Sequence, residues 1–165
     1  MRVLGLLPAL LALTACSLGG SGDDSVSARQ TQRAATAVAE DAIPVVARVL
    51  GAHQVEAHAE WSECLQGLAW KYHGGVAVHA PGGHVKARLR AVEAALLDAG
   101  FTESLTSESQ VSVARDGISF TIYRPSQTAQ RVWAAFVESG CSGYSDEDQS
   151  VIEHDRGNDF PGLAS

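Results

Sequence analysis

The stretch VSVARDGISFTI (111–122) decides the fold. Val111 and Val113 alternate with Ser112 and Ala114 on the way into Asp116-Gly117, and Ile118, Phe120 and Ile122 alternate with Ser119 and Thr121 on the way out. Asp-Gly is a pair that two-residue type I′ turns prefer, because both central residues there need positive φ. Folding at that turn sets Val113 against Phe120, Val111 against Ile122 and Ser112 against Thr121. No side chain lands on the wrong face, so the stretch reads as an antiparallel hairpin with a single register.

Outward from the hairpin, Phe101 to Thr106 can form a short leading strand, and before it comes a helical stripe. Val85, Leu89, Val92, Leu96 and Leu97 recur at helical spacing, with Lys86, Arg88, Arg90 and Glu93 off the stripe and Gly100 as the stop. An earlier helix is expected from about Val26 to Leu50, with Ala34, Ala35, Val38, Ala42, Val45, Val46 and Val49 on its apolar side. Gly51 ends it, and Pro44 should kink or divide it.

Between the helices, VEAHAEW (55–61) alternates apolar with polar, and so does WKYHGGVAVH (70–79). A turn at CLQG (64–67) would pair Trp61 with Trp70 and Glu60 with Lys71. QRVWAAFVESGC (130–141) fits either a helix capped by Ser126 or a strand. Its density of β-branched and aromatic residues favours the strand. The expected fold is α+β: two helices packed on one face of an antiparallel sheet of about five strands, in the order α-β-β-α-β-β-β, with one disulfide.

The net charge is −7 with no basic stripe, which argues against a nucleic-acid partner. At 165 residues the chain has room for one domain with a proper core. Its beginning is different in kind. Arg2 precedes an apolar run of about 11 residues, Val3 to Leu13, which suits a signal-peptide core and is too short to span a bilayer. Leu13, Thr14, Ala15 and Cys16 follow.

L-T-A-C resembles the lipobox of bacterial lipoproteins. The resemblance covers about twenty residues and implies cleavage before Cys16, with a diacylglyceryl group on its thiol and further acylation such as palmitate. It implies a lipid-anchored chain on the outer face of the cytoplasmic membrane, since two or more acyl chains hold a protein stably. The expected division is a signal peptide at 1–15, a small and polar tether at 16–25, a single α+β domain at 26–144 and an acidic mobile tail at 145–165. Arg2 leaves with the leader, so the mature surface is more acidic still. Anionic headgroups would not attract it.

With Cys16 assigned to lipid, Cys64 and Cys141 remain as a pair in an oxidising compartment and are expected to form a disulfide. Two free thiols or metal ligands are the alternatives, the latter weakened by the lack of a C-x-x-C pair.

The sequence contains no G-x-S-x-G, H-E-x-x-H, phosphate-cradling glycine loop or EF-hand loop, and no cofactor is expected. In the proposed first hairpin His58 faces His73, with Glu56 and Glu60 beside them, a group that could converge on Zn²⁺ or Cu²⁺. The same residues also fit a solvent-facing sheet surface. Trp61, Trp70, Tyr72, Phe120 and Trp133 alternate with polar neighbours and read as core rather than groove lining. Tyr144 has no evident role. The leading functional expectation is a non-catalytic accessory or binding module for an envelope protein or small ligand. A cell-envelope enzyme with a site assembled from distant residues is the alternative, and a metal-binding surface protein the third.

Overall fold

In the computed structural model of the chain, residues 26–66, 68–125 and 132–155 are described, together with the backbone of 158–159. The leader, Cys16, the tether and Ser126 lie outside the described residues.

Helix α1 (Ala28–Leu50) starts where Ser27 caps it: the Ser27 hydroxyl accepts from the Gln30 N–H while the Gln30 side chain accepts from the Ser27 N–H. It ends at Gly51, whose φ of 60° suits a residue without Cβ. Pro44 does not divide it. The buried face formed by Ala35, Val38, Ala42, Ile43 and Val46 supports both sides of the proline, so the lost hydrogen bond does not end the helix.

Strands β1 (Gln54–Leu65) and β2 (Ala69–His79) form the first hairpin, and α2 (Val85–Asp98) follows. Strands β3 (Thr102–Thr106), β4 (Gln110–Arg115), β5 (Ile118–Tyr123) and β6 (Val132–Ser139) make a meander. Then come α3 (Asp146–His154) and the two-residue β7 (Asn158–Asp159). The strands form one antiparallel sheet in the order β3-β4-β5-β6-β2-β1-β7. The α+β class and helices on one face hold. Among the described residues, the sheet has seven strands rather than about five, and a third helix is present.

The β4–β5 register is the expected one: Val111 pairs with Ile122, Ser112 with Thr121 and Val113 with Phe120. Asp116 (φ 54°) and Gly117 (φ 76°) both take the left-handed conformation that the tight turn requires. The 132–139 segment is a strand, lying between β5 and β2.

Both long helices cover the same sheet face. Leu89, Val92 and Leu96 of α2 and the apolar side of α1 meet Val76, Val78, Phe120, Ile122, Trp133 and Val137 in one core. Leu97, expected on the α2 stripe, is instead exposed. Arg88 ties the two helices, donating from Nη2 to the Leu50 carbonyl at 2.7 Å. That carbonyl is among those a helix C-terminus leaves without an internal partner.

The segment from 145 onward, expected as a mobile tail, is corrected for residues 146–154. Ser145 caps α3 by accepting from the Asp148 N–H, and Asp146, Glu147 and Asp148 place negative charge at the helix N-terminus, where the macrodipole favours it. Ile152 is buried, and Asp148 Oδ1 accepts from the Ala28 N–H at 3.0 Å. The acidic run therefore opens a docked helix. Residues 156–157 and 160–165 lie outside the described residues.

Candidate functional site

Cys64 and Cys141 are joined in a disulfide with a Cα–Cα separation of 6.3 Å. It fastens the end of β1 to the chain just beyond β6, where Trp70 and Ser142 exchange two backbone hydrogen bonds of 2.9 and 3.0 Å. Tyr144 finds its role nearby. Its ring meets Trp61 edge-on at 5.4 Å, and its hydroxyl lies 3.0 Å from the Thr31 hydroxyl of α1. Trp61 in turn meets Tyr72 edge-on at 5.1 Å. Burial raises the Tyr72 phenol above its ordinary value; a hydrogen bond with Gln32 offsets part of this, and the Asp155 charge adds to it. Trp61, Tyr72, Phe120 and Trp133 are buried as expected, while Trp70 is only half-buried.

The proposed histidine group is not brought together as the sequence suggested. β1 and β2 pair two residues away from the expected register: Trp61 faces Tyr72, Glu60 faces His73 and His58 faces Gly75. Two cross-strand pairs result, His73 Nε2 to Glu60 Oε1 at 3.5 Å and His79 Nε2 to Glu56 Oε1 at 3.5 Å. His58 stands apart from His73 and lies over Gly75, where a Cβ would come within 2.8 Å of His58 Cε1. Among the described residues, no group of three or more histidine, cysteine or carboxylate side chains is arranged to hold a metal ion.

These side chains share a face of the sheet that carries no helix among the described residues. In register across it run Ser112, Thr121, Phe136, Gly75 and His58, on β4, β5, β6, β2 and β1. Phe136 is more than one-third exposed, and Tyr123 stacks on it at 6.0 Å with 17° between the rings. Ala77, Ala134 and Gly75 provide a low floor beside the rings. One ion pair borders it, Lys71 Nζ reaching Glu138 Oε1 at 2.7 Å, with the two His–Glu contacts farther along. The Ser112 and Thr121 hydroxyls, 2.6 Å apart, satisfy each other. Chemically this is a broad platform of aromatic and small apolar groups with charged margins. It suits contact with another surface better than enclosure of a small molecule.

The sequence reading missed this platform, since it depends on β6 lying between β5 and β2. The alternation within β6 was the available signal.

A separate open cavity of about 290 Å³ lies between α2 and the β3–β4 connection. Leu89 and Val111 line its apolar side, with Lys86, Arg90 and Glu108 around it. Glu108 pairs with Lys86, whose hydrogen bond and charge hold the carboxyl below its ordinary value. The Thr106 hydroxyl is buried at this cavity without a hydrogen-bond partner.

No protein-family model, curated protein or solved structure matches the chain.

Proposed function

We propose that the chain is a lipid-anchored extracytoplasmic accessory module that binds a partner of the cell envelope on the uncovered face of its sheet. The single observation behind the address is L-T-A-C at 13–16 after an apolar leader. The Cys64–Cys141 disulfide supports it, since such bonds persist in oxidising compartments. The stacked Tyr123 and Phe136 support the binding role: aromatic residues are enriched where surfaces dock, and here charged side chains of β6, β2 and β1 lie to one side of them.

A photo-crosslinking residue at position 136, in the chain as it sits in its native membrane, tests this reading. Capture of one defined envelope protein at 136, absent when the residue stands at exposed Leu97, is the expected result. Equal or absent capture at the two positions contradicts it.

The second reading, an envelope enzyme, is favoured by the cavity at Lys86 and Arg90, beside which the buried Thr106 hydroxyl has no hydrogen-bond partner. Loss of a turnover reaction in Thr106→Val with the fold intact would establish it.

A further inference from the structure

Three of the large apolar side chains most open to water belong to one end of the molecule. Leu68 is 79% exposed, Leu65 61% and Val26 58%. Leu65 and Leu68 stand at the closed end of the β1–β2 hairpin, and the described residues there are tied together. The Leu68 N–H donates to the Leu65 carbonyl at 2.6 Å, the neighbouring Cys64 is crosslinked to Cys141, and Trp70 is bridged to Ser142. Two exposed leucines beside this crosslink form an apolar feature of the kind that marks an interaction surface.

The start of α1 lies at the same end. Gly143 packs against the Leu68 carbonyl, so that a Cβ on it would stand 3.5 Å from that oxygen. The next residue, Tyr144, reaches the Thr31 hydroxyl in the second turn of α1. The chain therefore leaves the domain toward Cys16 beside the two leucines. Nine residues lie between Cys16 and Val26. A Gly/Ser-rich stretch of that length spans on the order of 15–20 Å. The 23 residues of α1 cover about 35 Å, so the far end of the domain stands well away from the anchor.

We infer that the β1–β2 tip is a second membrane contact: Leu65 and Leu68 enter the interfacial layer of the bilayer and orient the anchored domain. This rests on the lipid anchor proposed above. The lipid partner is favoured over a protein because the lipidated residue brings a bilayer to this end of the fold. The contact is apolar in character, because the neighbouring first turn of α3 carries Asp146, Glu147 and Asp148 and gains nothing from anionic headgroups. Leucine side chains suit the headgroup–acyl boundary, where interfacial segments bury their apolar face.

The test uses the full lipidated chain, purified from membranes and reconstituted in phosphatidylcholine vesicles with a quencher carried on the upper acyl chain. Leu68→Trp reports the tip, and Leu105→Trp, at a similarly exposed site on the edge strand β3, is the comparison. Emission is read as the difference from the parent protein. A blue shift and loss of emission at 68, with neither at 105, is the expected result. Flotation with the vesicles but no quenching at 68 overturns the membrane contact while leaving the anchor intact, and is also what a protein covering the leucines would give. Failure to float with the vesicles at all overturns the anchor, and the contact falls with it.

Discussion

The two hairpins of this protein obey the same alternation and differ in what sets their register. In β4–β5 the Asp116-Gly117 turn fixes the partners, and the pairing read from the residues is the pairing in the structure. In β1–β2 the alternation places the correct side chains on each face, yet the partners are displaced by two residues. A shift of two preserves every face, so an alternating sequence alone cannot detect it. A bulge between Glu63 and Leu65, a positive φ at Gln66 and the disulfide at Cys64 determine the register there. One hairpin is specified by its turn and the other by its crosslink and its neighbours.

The largest effect should come from removing that crosslink. Cys64→Ser with Cys141→Ser opens a loop with a sequence separation of 77 and should cost about 4 kcal/mol in the chain-entropy model. Denaturant unfolding measures the loss. Hydrogen exchange should show the β1–β2 tip losing protection while the β4–β5 amides keep theirs; equal loss in both hairpins would contradict the division. Gly117→Ala is the complementary change, placing a Cβ at a φ of 76°. It should cost about 1 kcal/mol, lower the thermal midpoint and loosen β4–β5 first.

Tyr72 gives the first hairpin a pH signature. Its phenol is raised in the folded state, so the folded protein holds that proton where the unfolded chain has begun to release it. The contribution is fully present below about pH 10 and declines as pH rises from there toward the folded value. Tyr72→Phe should flatten this alkaline decline in a series of unfolding curves; an unchanged slope would show that Tyr72 is not the group responsible. The smallest effect is expected from Gly75→Ala. The atoms nearest the new Cβ belong to the exposed His58 ring, which can swing aside, so stability should change by less than about 0.5 kcal/mol. The His58 Cε1–H resonance should nonetheless move and that of His73 should not, which distinguishes the observed register from the alternative pairing His58 with His73.

Much of the fold was legible wherever a local signal acted alone. The stripe of Leu89, Val92 and Leu96, the Gly51 cap and the Asp-Gly turn each point to their own element, while the 132–137 segment fitted a helix as well and only its Val and aromatic content favoured the strand it forms. The Cys64–Cys141 pair followed from counting, with Cys16 expected to carry lipid. What escaped depended on distant partners. Asp146, Glu147 and Asp148 read as a solvated acidic tail until Ser145 is seen to cap a helix and Ile152 to be buried in the core. Tyr144 has no role without Thr31, more than a hundred residues away. The platform around Phe136 exists because the strand order puts β6 beside β2, and no residue within β6 states that order. The histidine group failed for the same reason as the hairpin register, since alternation says which side a residue faces and leaves its partner open.

The most direct test of the account is the mass of the mature chain taken from its native membrane without reduction. The account predicts a first residue at Cys16 carrying a diacylglyceryl thioether, and one disulfide linking Cys64 to Cys141. A chain that begins at another residue, or carries no acyl group, would contradict it.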